Sequence, residues 1–191
     1  MKHEIVDDVL IISGGAQGFE ILSTGVEGGR RRVKYILNIQ VLPDFPHDDP
    51  GRYIKGVAHS LQLKGGYAAL LTAVEMQRLQ VFHDACVTVF VTAGVHSTLS
   101  LGTINIIIVS SKALSEGAMA GSIITATESK TRALFDLGFN LTGTPTDAVI
   151  IAYEKGPDTS PIAYAGVATH FGRKIGTLIR RGITNSLKPH T

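Results

Sequence analysis

No stretch constrains this chain more than TINIIIV at residues 103–109. It is β-branched and of strand length, so it reads as a central buried strand rather than a helix. TATESKTRAL (125–134) follows on a helix, and TGTPTDAVIIA (142–152) is a loop running into a second strand. That succession sets hydroxyls, an amide and carboxylates among apolar elements. Polar groups so placed are hydrogen-bonded or do chemistry.

Composition narrows the class. With 191 residues, 44% apolar content and a mean hydropathy of +0.20, the chain is expected to form a single domain with a sizeable core. A net charge of +2 gives no case for nucleic acid, and no basic stripe with interleaved aromatics appears. The cluster Arg30, Arg31, Arg32 with Lys34 reads as a solvated loop or an anion contact. Cys86 stands alone in ACVTVFVTAG, which excludes an internal disulfide and fits a reducing compartment. Its thiol reads as buried and inert. Glu4, Asp7 and Asp8 interrupt any apolar leader, and no apolar run reaches the roughly 18 residues of a membrane helix. A cytoplasmic protein without a membrane partner is expected.

VLIISGG (9–15) reads as a strand ending at a glycine turn, Gly28 and Gly29 mark a second turn, and VKYILNIQV (33–41) alternates as a strand. LPDFPHDDPG (42–51) is a surface loop. Asp48 or Asp49 caps a helix that starts near Pro50 and runs toward Leu61, because proline suits the first helical position. Residues 67–74, 87–95, 103–111 and 148–154 read as strands. The best helix spans 114–138, with Ser115 as its N-cap and Gly138 as its stop. A last helix runs from about Thr169 to Arg181. Mixed strands and helices without repeat or linker predict an α/β or α+β fold, a layered sandwich of mixed sheet and helices.

Five segments in order, VTAGVHS (91–97), GTINIII (102–108), TATESKTRAL, TGTPTDAVIIA and YAGVATHFG (164–172), carry a family resemblance. The chain resembles the adenosylcobinamide amidohydrolase family, whose pattern runs close to TAGVSN, GTINII, TATEAKTAAL and TGTGTDAVVVA. The resemblance implies hydrolysis of the amide that joins the aminopropanol arm to the corrin ring of adenosylcobinamide. The products implied are adenosylcobyric acid and 1-amino-2-propanol, a step of cobamide salvage. His96-Ser97 replaces the family's Ser-Asn, and Pro145 stands inside the TGTxTD turn, so substrate and turnover are less firmly implied than fold.

Amide hydrolysis needs a nucleophile, a proton acceptor that later serves the leaving amine, and donors for the oxyanion. No HExxH and no Cys/His cluster at metal spacing is present, so a zinc mechanism has little support and no metal or cofactor is expected; no GxSxG nucleophile elbow is present either. In one design a carboxylate activates water. Asp147, between a Gly-Thr-Pro-Thr turn and a strand, is either that base or a turn aspartate holding backbone N–H groups. Glu128 is either a base or a solvated charge paired with Arg132. In the other design Thr103 is the nucleophile. The Gly-Thr start of its strand is similar to self-cleaving hydrolases of the aminopeptidase and ornithine-acetyltransferase kind, where cleavage before a Ser or Thr frees an α-amine to act as base. The alternative is a structural threonine at the strand's entry.

Asn105 shares a strand face with Thr103, so it donates to the oxyanion, holds the substrate amide or satisfies backbone. Thr142, Gly143, Thr144 and Thr146 form a loop that offers N–H groups and hydroxyls to substrate, or simply a tight turn. His96, if it acts, transfers a proton to the leaving amine or contacts substrate. Gly14 and Gly15 either let backbone approach a corrin or only turn the chain. The partner expected is therefore a corrinoid, in a broad cleft with an apolar floor and polar rim. A corrinoid-binding module without turnover and a hydrolase for a smaller amide are the alternatives, and a homo-oligomer is left open.

Overall fold

The computed structural model describes residues 1–46, 48–96, 101–154 and 160–188, with backbone alone at His96 and Leu101. The isoleucine run lies in a strand, Leu101–Ser110, that buries Ile104, Ile106 and Ile108 on one face and Ile107 and Val109 on the other. A strand apolar on both faces must be covered twice, and that requirement sets the layering.

In chain order the strands are β1 (Lys2–Val6), β2 (Val9–Ser13), β3 (Phe19–Ser23), β4 (Gly29–Val33), β5 (Tyr35–Gln40), β6 (Tyr67–Thr72), β7 (Gln80–Asp84), β8 (Val87–His96), β9 (Leu101–Ser110) and β10 (Ala148–Glu154). The helices are α1 (Pro50–Ser60), α2 (Glu116–Asp136) and α3 (His170–Leu187). A four-stranded sheet has the order β1-β2-β5-β6, and a six-stranded sheet the order β4-β3-β10-β9-β8-β7. Each sheet holds one parallel pair, β5 with β6 and β9 with β10, and the other pairs are antiparallel. A helix bridges each parallel pair, α1 in the first and α2 in the second, as a parallel crossover requires.

The layers follow from the faces. Ile54 of α1 packs on Val9, Ile11, Leu37 and Ile39 outside the smaller sheet. Leu10, Ile12, Ile36 and Leu70 meet Phe19, Ile21, Phe90 and Ile107 between the sheets. Val89, Val91, Ile106 and Ile151 meet Met119, Leu134, Ile175 and Ile179 of α2 and α3 beyond the larger sheet. The result is helix, sheet, sheet and helices, the layered mixed sandwich expected.

Local signals held at the helix ends. Asp49 accepts from Arg52 N at 2.9 Å ahead of Pro50, and Ser115 accepts from Ala118 N at 3.0 Å. Gly138 takes a φ of +84° just past α2, and α3 begins after Thr169 but runs on to Leu187.

Two expectations need correction. Residues 33–41 are not one strand. Val33 ends β4 in the larger sheet, Tyr35 starts β5 in the smaller one, and Lys34 crosses between them, its N–H 2.7 Å from Gly66 O. Nor are Arg30 to Arg32 a loop. They form β4, an edge strand, where Arg32 pairs with Glu20 at 2.8 Å, Arg30 pairs with Glu116, and Arg31 bonds the Gly28 carbonyl at 3.2 Å. Charge on an edge strand discourages pairing with other chains. β1, β3 and β7 were not anticipated.

Candidate active site

The sheets part where β5 and β6 end and where β9 and β10 begin, and a cleft of about 1270 Å³ opens there. Leu70 and Leu71 of β6 and Val74 in the turn after it supply apolar surface, and Val41, Leu42, Pro43 and Phe45 also line the cleft. Gly102, Thr103 and residues 145–148 form the facing wall.

Asp147 organises that wall. Its Oδ2 accepts from Lys130 Nζ at 2.5 Å and from Thr144 N at 2.9 Å. Its Oδ1 accepts from Ile104 N at 2.8 Å and from Thr144 Oγ1 at 2.6 Å. An ionised carboxylate offers about four lone-pair sites, and these contacts fill them. The Lys130 and Asp147 side chains are each only 11% exposed, so the pair is poorly screened. This carboxylate therefore has no free lone pair for a water proton in this geometry. Gly143 belongs to the same cluster, since a Cβ on it would fall 2.5 Å from Asp147 Oδ2 and also against Lys130 Nζ.

The hydroxyls converge on one carbonyl. Thr146 Oγ1 donates to Gly102 O at 2.9 Å, Thr103 Oγ1 lies 2.7 Å from Thr146 Oγ1, and Thr144 Oγ1, whose one proton goes to Asp147, lies 2.8 Å from the same carbonyl oxygen. Gly102 has a φ of +142°, and a Cβ there would run into the Gly94 carbonyl, so only glycine fits. Thr103, 7% exposed, therefore meets another hydroxyl and no His, Asp, Glu or Lys side chain among the described residues.

Asn105 lies one layer deeper, between the sheets. Its Nδ2 donates at 2.8 Å to Asn38 Oδ1 and at 2.8 Å to Leu71 O, while Asn38 Nδ2 donates to Thr92 Oγ1 at 3.0 Å. The Leu71 carbonyl can only accept, which fixes the orientation of both amides. Both Asn105 protons are thus engaged, leaving none for an oxyanion. Its Oδ1 is buried without a partner among the described residues.

The remaining candidates divide. Glu128 sits on the exposed face of α2, outside the cleft lining, and Arg132 pairs with Asp136 at 2.8 Å instead. The helix turns Lys130, two residues on, toward the site. Thr142 is exposed, and its carbonyl accepts from Thr131 Oγ1 at 3.1 Å. Gly14 and Gly15 bond Lys34 O and Glu154 Oε1, each at 3.0 Å, at the end of β10 remote from the cleft. The side chain of His96 lies outside the described residues. Sequence reasoning missed Lys130 as the partner of Asp147 and, in the cleft lining, Glu75, Arg78, Leu42 and Phe45. Leu42 ahead of Pro43, and Phe45 between Pro43 and Pro46, are apolar residues in a polar loop and were the readable signal.

The profile of the adenosylcobinamide amidohydrolase family matches residues 2–191. The chain belongs to the adenosylcobinamide amidohydrolase family. A protein of Methanosarcina mazei named adenosylcobinamide amidohydrolase is 45% identical, over 98% of each chain. One of the same name from Halobacterium salinarum is 27% identical over 93% of this chain and 84% of its own. An uncharacterized protein of Methanocaldococcus jannaschii is 35% identical over 46% of this chain and 36% of its own. No solved structure matches the chain. The blocks that carry the resemblance, GTINIII and TGTPTDAVIIA, are those that build the Thr103–Thr146–Asp147 wall. Among the described residues no helix is long and apolar enough to cross a membrane.

Proposed function

We propose that this chain hydrolyses the amide between the aminopropanol arm and the corrin of adenosylcobinamide, giving adenosylcobyric acid and 1-amino-2-propanol. The observation that carries the reading is the cleft. At about 1270 Å³ it exceeds the ~300–1,000 Å³ typical of sites for drug-sized ligands, so a large, flat, amide-fringed ligand suits it. Apolar Leu70, Leu71 and Val74 suit the corrin's face, and the hydroxyl wall suits the reacting amide.

In this reading Thr103 and Thr146 hold the scissile carbonyl. The Thr103 hydroxyl turns from Thr146 toward the oxygen that gains charge, where a preorganised donor has most effect. Asp147 works indirectly, fixing Thr144 and the start of β9 rather than taking a proton. The lone Cys86 supports a reducing, cytoplasmic setting.

Incubating the purified protein with adenosylcobinamide, with liquid chromatography and mass spectrometry as readout, tests the reading. Adenosylcobyric acid with 1-amino-2-propanol is the expected result. Retention of the corrinoid without product would make the chain a binding module. Neither product nor retention would move the activity to a different amide.

A further inference from the structure

Two carboxylates line the cleft among the described residues, Glu75 and Asp147. Asp147 has its oxygens filled by Lys130, Ile104 and Thr144. Glu75 is exposed, and no hydrogen bond or ion pair engages its side chain among the described residues.

The backbone around Glu75 is held on every side. Val74 N donates to Thr72 Oγ1 at 3.1 Å, Met76 N to Gln40 Oε1 at 2.7 Å, and Arg78 N to Glu75 O at 2.9 Å. The turn also presses on the facing sheet. A Cβ on Gly94 would fall 2.7 Å from Val74 Cγ2, and Gly94 is the cross-strand partner of Thr103. The residue after Val74 thus rises from a fixed turn beside the strand pair that carries Thr103. An exposed glutamate ahead of a 3-10 turn is ordinary on a surface. What sets this one apart is a pinned backbone, an unengaged carboxylate and a place in the cleft.

We infer that Glu75 is the general base of the reaction. The inference rests on the amidohydrolase reading above and names a catalytic residue for it. The Glu75 carboxylate takes a proton from water as the water oxygen bonds to the amide carbon. When the carbon–nitrogen bond breaks, that proton passes to the departing nitrogen. Water and amide become a carboxylic acid and an amine, with no other reactant.

The test compares wild type, Glu75→Gln, Glu75→Ala and Glu4→Gln on adenosylcobinamide, with and without added formate. Glu4, exposed on β1, is the control. Glu75→Gln should lower kcat by about 10²-fold or more, the range for a lost general base, with KM changed little. Formate should restore part of the activity of Glu75→Ala, because a small carboxylate can occupy the vacated space. That rescue also separates catalysis from folding, since formate mends no packing defect. An active wild type with Glu75→Gln at the same kcat would overturn Glu75 alone. A loss in Glu75→Ala that formate leaves untouched would overturn it as well. A wild type that forms no product would overturn the parent reading and this inference with it.

Discussion

Lys130 reaches from α2 to place its ammonium 2.5 Å from Asp147 Oδ2, and that pair ties the crossover helix to the loop entering β10. The site's geometry descends from this contact, because Asp147 also fixes Ile104 N and Thr144.

Removing one partner of a buried ion pair leaves the other uncompensated, at a cost of about 3–5 kcal/mol. Lys130→Met and Asp147→Asn should each lower Tm by roughly 6–20 °C in scanning calorimetry. Asp147→Asn should also slow hydrolysis roughly 10²-fold through misplacement of the wall. A variant that melts like wild type would show the pair to be structurally idle.

Gly143→Ala puts a methyl against Lys130 Nζ and Asp147 Oδ2. Overpacking of this kind costs about 1–3 kcal/mol. Urea unfolding should show a lower midpoint with an unchanged slope. No change would mean that the loop yields freely.

Thr103 sits inside the β8–β9 ladder, paired with Gly94, and its hydroxyl meets Thr146. Intact-mass measurement of active protein should therefore give one full-length species. Two fragments separating Gly102 from Thr103, absent in Thr103→Ala, would reinstate Thr103 as a processed nucleophile.

Asn105→Leu is near-isosteric but orphans Asn38 Oδ1 and Leu71 O between the sheets. Each buried orphan costs about 1–3 kcal/mol. Adding Asn38→Leu should cost less than the sum of the single changes, which a double-mutant cycle by chemical denaturation would read. Additive losses would show the two amides to be energetically independent.

What the sequence revealed was local. Asp49, Ser115 and Gly138 mark helix ends through bonds that span a few residues, and the isoleucine strand declares itself by composition. What it hid depends on assembly. β1 is exposed throughout and joins its sheet through backbone pairing, so no apolar alternation betrays it. In TATESK the sequence singled out Glu128, and only the position of β10 shows that Lys130 is the residue that faces Asp147. Asn105 looked free to donate until the smaller sheet brought Asn38 and Leu71 against it. Glu75 becomes a cleft residue only once both sheets are stacked.

The lining loop and the hydroxyl wall belong to different parts of the molecule. Residues 41–46 contribute no strand to either sheet, and Leu42 is 73% exposed. Thr103 is locked into the central ladder, and Asp147 is tied to it through Ile104. On the proposed reading, ligand choice and bond-breaking can consequently diverge independently. Homologous enzymes could exchange that loop for another and acquire new preferences while inheriting an unaltered hydrolytic core.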